Sequence, residues 1–394
     1  MLNGRESGVL PMRDVMTVQP HSPNRSTASG SGSSRSRTIR AAAAAAVASA
    51  AALGLVACGP STLPGNPLGQ PPGGVTQSQP IDFTTPPADL DSAVRNVVPG
   101  IVDVNTELGL QNGEGAGTGI VLSSDGVVLT NNHVVEGATK ISVTDLGNGH
   151  TYDATVLGFD RSEDMAVIKL SGASGLQTAP LGDSDKVAVG DAVVGVGNAG
   201  GRGTPTAAAG KVTALNRAIT ASDDSTGSSE QLTGLIQVAA TIEPGDSGGP
   251  LVDAAGQVIG MDTAASKGFR FSISGGQGFA IPINQALSVA KQIQAGRASE
   301  RVHIGDTAFI GVSVSSVSGG AQIRGVVQGG PADQLGLAAR DVITGLDDHA
   351  IISANDLTST MDQHHPGDTV TLKWTDEAGQ SRSAQVQLAK GPVG

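Results

Sequence analysis

From about residue 92 the chain breaks into short β-branched runs, each closed by glycine or an Asp-Gly pair, and this rhythm constrains the fold more than any other feature. Gly119-Ile120-Val121-Leu122, then Ser123-Ser124-Asp125-Gly126, then Val127-Val128-Leu129 reads as a hairpin. Ala166–Leu170, Val187–Val196 and Gln257–Met261 read as further strands. Short strands at this spacing predict a mostly β chain built from antiparallel barrels or sandwiches. Composition points the same way: 56 glycines and 20 prolines in 394 residues, with 2% aromatics, favour turns over a helical bundle. The first persuasive helix spans 284–295, where Ile283, Leu287, Ala290 and Ile293 share a face and Gly296 supplies the stop.

A second unit begins near residue 305. It holds Phe309-Ile310-Gly311-Val312, Gly330-Pro331-Ala332, Leu335-Gly336-Leu337 and Asp341-Val342-Ile343. Ser353-Ala354-Asn355-Asp356 is a capping box ahead of a short helix carrying Leu357 and Met361, and Val370–Trp374 is a late strand. Strands with two short helices over residues 305–391 predict a small α+β domain.

The N-terminal part reads differently. Arg35, Arg37 and Arg40 precede an uncharged, alanine-rich run at 41–57, and Cys58 follows. A basic region before an apolar core is the pattern of an export signal. Leu55-Val56-Ala57-Cys58 resembles a bacterial lipobox, in which the cysteine is acylated and becomes the mature N-terminus. An uncleaved transmembrane anchor and ordinary secretion are the alternatives. Seventeen weakly apolar residues are short for a span, which favours the lipoprotein. Residues 58–88 are rich in Pro, Gly, Ser, Thr and Gln and read as a flexible tether. The domain reading is thus a leader or anchor at 1–57, a tether at 58–88, a first globular domain at 89–297 and a second at 305–391. Net charge is −12, and beyond residue 57 there are 18 Lys+Arg against 34 Asp+Glu. That balance argues against nucleic acid as a partner. The single cysteine excludes an intrachain disulfide framework and a thiolate zinc cluster.

The chemistry concentrates in Pro244-Gly245-Asp246-Ser247-Gly248-Gly249-Pro250. Glycines around a serine let the backbone turn tightly and aim N–H groups at one point, as an oxyanion hole requires. The same letters fit the nucleophile elbow of α/β-hydrolases. That elbow needs a helix after the serine and a histidine later in the chain. Here strand-like Leu251-Val252 follows, and the best histidine lies upstream. It is His133, in Thr130-Asn131-Asn132-His133-Val134-Val135, directly after the hairpin. Asp164, at the head of the strand Met165–Leu170, is the carboxylate candidate, while the adjacent Glu163 would point the other way. The order His133, Asp164, Ser247 is that of the chymotrypsin fold, with the first two residues on one barrel and the serine on a second. His364-His365 has no evident third ligand, so no metal or other cofactor is implied.

Together Val98-Pro99, Ile101-Val102, Thr130–Val134, Asp164–Leu170, Gly245–Pro250 and Gly278-Phe279-Ala280-Ile281-Pro282 resemble, in order and spacing, the HtrA (DegP-like) serine proteases, and 305–391 resembles their PDZ domain. His364–Asp368 and the segment 221–230 are similar to the mycobacterial PepA-type members. The resemblance implies a chymotrypsin-like double β-barrel followed by a PDZ domain. It also implies ATP-independent cleavage of unfolded or misfolded proteins outside the cytoplasm, with chaperone activity in some members. His133 would be the base, Asp164 its orienting partner and Ser247 the nucleophile. The N–H groups of Gly245 and Ser247 would form the oxyanion hole. By the same analogy the specificity pocket has its floor at Thr241, with Phe279 and Ile281 alongside. With no carboxylate at Thr241, small or medium apolar side chains are expected at the cleaved position. Phe309, Ile310, Gly311 and Val312 would hold the carboxylate of a hydrophobic C-terminal peptide. Members are often homotrimers sealed by N-terminal aromatics, of which only Phe83 stands near that region here.

The chain departs from the family pattern at several points. Asp246 and Asp262 stand where many members have Asn, Ala239 where they often have Asp, and Glu243 where they have Asn or Gln. Arg340 takes the place of a frequent Gly. No Ile-Val-Gly-Gly segment is present, so Asp246 has no newly cut N-terminus to pair with. The expected function is an HtrA-like serine endopeptidase in the cell envelope, with a chaperone or PDZ scaffold of silent proteolysis as its rival.

Overall fold

The hairpin around Asp125-Gly126 forms as expected, and the sheets grow outward from it. The computed structural model describes residues 90–223, 228–263, 269–271 and 277–393. The export leader, Cys58, the tether and Phe83 lie outside these residues. A helix α1 (Leu90–Val97) leads into the first barrel. Its strands are β1 (Ile101–Leu108), β2 (Gly113–Ser123), β3 (Val127–Thr130), β4 (Lys140–Asp145), β5 (Thr151–Asp160) and β6 (Met165–Leu170), with a one-turn helix α2 (Asn132–Val135) after β3. Their order is β5-β4-β1-β2-β3-β6, and pairing of β5 with β6 closes the ring. The second barrel follows with β7 (Ala192–Gly197), β8 (Thr206–Asp223), β9 (Ser228–Val238), β10 (Pro250–Asp253), β11 (Val258–Thr263), β12 (Phe269–Phe271) and β13 (Gly278–Pro282). The order β8-β7-β10-β11-β13-β9 is closed by β8 with β9, and β12 adds to β8.

Many strand runs are apolar at every position because both faces of these strands are buried. Val121, Val128 and Ile168 fill the first barrel. Their neighbours Ile120, Leu129 and Val167 point the other way, into a layer shared with Val194, Val252 and Ile281 of the second barrel. Val193, Leu251 and Ala280 fill the second barrel itself. A strand's period of two therefore distributes each run between a barrel interior and the layer between barrels. Each large aliphatic buried there contributes about 1.5–3 kcal/mol.

The helix predicted over 284–295 is α3 (Ile283–Gln294), and Gly296 follows at φ 64. Its buried face is Ile283, Ala286, Ala290 and Ile293. Two elements differ from expectation. The strand expected over Val187–Val196 begins only at Ala192. Gly190 takes φ 100 and the Asp191 carboxylate accepts from the Ala188 N–H at 2.8 Å, so that stretch is a turn. Helix α1, which precedes the predicted first helix, buries Leu90, Ala93 and Val97 against the core.

The chain then passes through β14 (Val302–Ile304), which extends the first sheet beside β5, into the C-terminal domain. That domain comprises β15 (Ala308–Phe309), β16 (Val312–Val317), β17 (Gly320–Val326), α4 (Pro331–Gln334), β18 (Val342–Leu346), β19 (His349–Ala350), α5 (Ala354–Met361), β20 (Thr369–Thr375), β21 (Ser381–Gln387) and β22 (Ala389–Lys390). Its sheet runs β16-β17-β18-β20-β21 around Ile323, Ile343, Leu357, Leu372 and Trp374. Ser353 caps α5 by accepting from the Asp356 N–H at 3.1 Å. The Asp356 carboxylate does not return to Ser353, as a full capping box would require; it accepts from the Ile352 N–H at 2.9 Å.

The C-terminal domain is fastened to the first barrel on both sides. His303 is only 3% exposed. It stacks between Phe159 (centroids 5.0 Å apart) and His365 (4.9 Å). Arg161 donates to both oxygens of Asp362, at 3.2 and 3.4 Å. At the far end, Val393 exchanges backbone hydrogen bonds with Gly137 (2.7 Å) and Ala138 (3.0 Å). Among the described residues no helix is long and apolar enough to cross a membrane.

Candidate active site

Three polar residues from distant parts of the sequence border the junction of the barrels. The chain leaves β3 at Thr130, turns at extended Asn131, and enters α2, whose second residue is His133. Asp164 ends a single 3-10 turn, Arg161–Glu163, in the left-handed region at φ 52 and ψ 48. Aspartate tolerates that conformation better than most residues. His133 Nδ1 lies 2.9 Å from Asp164 Oδ2, and the His133 N–H donates to Oδ1 at 3.0 Å. Asp164 also accepts from the Thr263 hydroxyl at 3.2 Å, and its carbonyl accepts from the Asn131 side chain at 2.9 Å. His133 and Asp164 side chains are 4% and 5% exposed. Glu163 points away, as predicted, to Arg301 at 2.8 Å and to Gln285.

Ser247 is buried in the turn that precedes β10. Its carbonyl accepts from the Thr118 N–H of β2 at 2.8 Å. Gly117 is wedged between the two halves of the site: a Cβ there would lie 2.6 Å from Val134, next to His133, and 3.2 Å from the Ser247 carbonyl. The turn depends on glycine. Gly245 has φ 104 and Gly248 φ 83. A Cβ on Gly248 would come within 2.1 Å of the Thr118 carbonyl and 2.3 Å of the Thr130 hydroxyl. The N–H groups of Asp246, Gly248 and Gly249 are committed to Glu243, Asp262 and Asp246, each at 2.9 Å. Asp246 has partners other than a chain terminus: the Glu243 N–H at 2.9 Å and the Thr206 hydroxyl at 3.2 Å.

Two residues that sequence reasoning missed tie the barrels together here. The Thr118 hydroxyl donates to the Gly245 carbonyl at 2.7 Å and accepts from the Asn198 N–H at 3.0 Å. Asn198 is fully buried, and its side-chain oxygen accepts from Gly203 at 2.7 Å. Only long-range pairing gives these residues their role, so no local motif marks them.

The expected pocket residues are dispersed. Thr241 is exposed. Phe279 and Ile281 pack in the layer between barrels. Ile242, next to Thr241, is half-buried and faces Gly278 and Gly195: a Cβ on these glycines would lie 2.3 and 2.5 Å from it. In the C-terminal domain, Phe309 closes β15 and Val312 opens β16, with Gly311 at φ 83 between them. The Ile310 and Gly311 carbonyls accept from Ala332 and Val327, each at 2.8 Å. A cleft of about 160 Å³ beside this loop is bordered by Leu357 and Met361 of α5, by Arg161 of the first barrel and by Val393.

Burial raises the Asp103 carboxyl of β1 to about 6. Burial also raises Asp246, against the Glu243 N–H and the Thr206 hydroxyl, which lower it. Among the described residues no group of three or more His, Cys, Asp or Glu side chains is placed to hold a metal ion.

Comparison with known proteins agrees with this architecture. The pattern described as a trypsin-like peptidase domain matches residues 117–261, and that of a PDZ domain matches 308–388. The serine protease PepD of Mycobacterium tuberculosis is 38% identical over 323 residues, covering 77% of this chain and 67% of the relative. The serine protease Do-like HtrA of Lactococcus lactis is 32% identical over 292 residues, 70% of each protein. The serine protease Do-like HtrB of Bacillus subtilis is 30% identical over 351 residues, covering 80% of this chain and 74% of that one.

Proposed function

The chain belongs to the HtrA-type family of trypsin-like serine proteases that carry a PDZ domain, and from that premise we propose that it is an endopeptidase acting on misfolded or unfolded exported proteins. The observation that carries this reading is the buried pair His133 and Asp164, 2.9 Å apart, facing the glycine-bounded Ser247 turn across Gly117.

In the proposed mechanism His133 Nε2 takes the proton of the Ser247 hydroxyl as Oγ attacks the scissile carbonyl. Asp164 holds the ring by Nδ1 and stabilises the imidazolium. The N–H groups of Gly245 and Ser247 receive the oxyanion, each such donor lowering the barrier by about 3–4 kcal/mol. His133 then protonates the departing amine, and water, activated by the same ring, releases the acyl group from Ser247. Thr263, Asn131 and Thr118 position these groups. For specificity, Ile242 rather than the exposed Thr241 supplies an apolar wall, packed against the Val193, Leu251 and Ala280 cluster, with Phe279 and Ile281 in the layer between the barrels. Small or medium apolar side chains suit such a site.

The C-terminal domain binds hydrophobic C-terminal peptides, whose carboxylate meets the backbone of Phe309–Val312 while the peptide adds as a strand. We assign the catalytic body to 89–297 and the peptide module to 305–391. Relatives named as periplasmic DegP-like endoproteases support an extracytoplasmic location. Acylation of Cys58 attaches the protein to the membrane face, with 58–88 as its tether. Metabolic palmitate labelling that disappears in Cys58→Ser supports the anchor; labelling that persists excludes it.

The test of the whole reading is turnover of β-casein by the purified protein, with and without a peptide ending in a hydrophobic residue, beside Ser247→Ala. Cleavage abolished by the substitution and accelerated by the peptide is the expected result. Absence of cleavage under every condition, with suppressed aggregation of an unfolded client, favours the chaperone or scaffold reading instead.

A further inference from the structure

Two carboxyl groups lie beneath the Ser247 turn without a part in the reaction steps above. Asp262 of β11 is fully buried, and its backbone brackets the turn. Its carbonyl accepts from the Gly248 N–H at 2.9 Å and its N–H donates to the Gly249 carbonyl at 2.7 Å. Its side chain is directed at β7, where a Cβ on Gly195 would lie 2.7 Å from Oδ2. Among the described residues neither Asp262 oxygen has a hydrogen-bond partner. Asp246, immediately before Ser247, is also buried and faces the same strand two residues on: a Cβ on Gly197 would lie 2.7 Å from its Oδ1. Residues two apart share a strand face, so these carboxyls are neighbours over a stretch of β7 bare of side chains.

Their surroundings decide which carboxyl carries charge. Burial raises Asp246, but its carboxylate accepts an N–H from Glu243 and a hydroxyl from Thr206, which favour the ionised form against that burial. Among the described residues Asp262 has no such donor, and no ion pair is formed by either acid. Among the described residues the charge that acts on Asp246 is that of Glu243, which is exposed and of the same sign. Asp164 lies across β11, held by Thr263, whose side chain takes the opposite face. An ionised carboxyl buried without donor or counter-charge is far costlier than its neutral acid. In agreement, burial first and the Asp246 charge second hold Asp262 well above the usual carboxylate range.

We propose that Asp262 is a positioning residue for the serine protease reaction, held as a neutral carboxylic acid beside ionised Asp246, and that this single negative charge keeps the Ser247 turn in its working geometry. Asp262 is sealed from solvent, so it does not contact a substrate side chain. Its loss of a proton to base puts a second negative charge under the turn. The turn then withdraws, and with it the donors at Gly245 and Ser247. Because the folded-state value is raised, the stability this acid lends is complete below the unfolded carboxyl value and is lost as pH rises through the folded one.

This inference rests on the protease reading above, and its test separates the two. The pH dependence of kcat and KM for casein peptides is measured on the intact protein and on Asp262→Asn, whose amide keeps the shape and cannot ionise. The expected result is an alkaline fall in wild-type kcat that Asp262→Asn shifts upward by about one pH unit or more, with KM and the acid limb unchanged. Superimposable profiles overturn the proposal. In parallel, thermal unfolding is followed from about pH 5 to pH 9 on Ser247→Ala with and without Asp262→Asn. A melting difference that grows in favour of the amide as pH rises supports the buried acid even if casein is never cleaved. A difference constant across that range overturns it.

Discussion

Asp164 holds His133 at two points: one carboxylate oxygen lies 2.9 Å from Nδ1 and the other accepts the His133 backbone N–H at 3.0 Å. The aspartate thus fixes both the ring and the helical turn that carries it. Replacing it by asparagine preserves shape and the left-handed backbone, because asparagine also tolerates positive φ. Asp164→Asn is expected to lower kcat by about 10³–10⁴-fold with little change in melting temperature. Asp164→Ala is expected to lower both. Casein turnover beside circular dichroism distinguishes these outcomes.

Thr118 links the barrels through one hydroxyl, which serves the Gly245 carbonyl and the Asn198 N–H. Thr118→Val keeps the shape and removes both bonds, at a cost of about 1–3 kcal/mol for the buried groups left unsatisfied. Because one of them belongs to the Ser247 turn, proposed above to receive the oxyanion, kcat is expected to fall at least about tenfold while KM holds. Steady-state kinetics together with urea unfolding measures both effects.

Asp103 carries a pH signature of its own. Burial raises its carboxyl to about 6 in the folded protein, from 3.8. Its neutral form is therefore favoured by folding, and the stability it lends is lost as pH climbs from about 4 through about 6. Asp103→Asn is expected to match the wild type near pH 4 and to exceed it by up to about 3 kcal/mol near pH 8. Urea midpoints at the two pH values check this.

Arg340 occupies φ 81, where glycine is at ease and arginine is strained. Its guanidinium pairs with Glu377 at 2.7 Å, but both side chains are largely exposed, at 74% and 64%, so the pair contributes little. Arg340→Gly is expected to stabilise the PDZ domain by about 1 kcal/mol. A rise of a few degrees in the unfolding transition of that domain is the measurement, and a fall speaks against strain at this turn.

What the sequence discloses, and what it hides, follows from the range of the forces involved. The Asp125-Gly126 hairpin and α3 were legible because turn chemistry and helical periodicity act over a few neighbouring residues. The pairing of His133 with Asp164 was legible because each sits in a recognisable local motif. Thr118 and Asn198 were not, since their partners lie 127 and 80 residues away along the Thr118 bonds. The continuous apolar runs hid which side chain faces a barrel and which faces the layer between, where Phe279 and Ile281 pack. The burial of His303 comes from a stack assembled across two domains, which no local pattern marks.

The two fastenings of the PDZ domain have a mechanical consequence. The segment entering the domain is stitched to β5, and the segment leaving it is stitched to Gly137 and Ala138, just past the helical turn of His133. A body pinned at two places retains chiefly a rocking freedom about the line that joins the pins. One end of that axle rests four residues from His133, whereas the Ser247 turn stands on the other barrel. Whatever torque the domain exerts reaches His133 first.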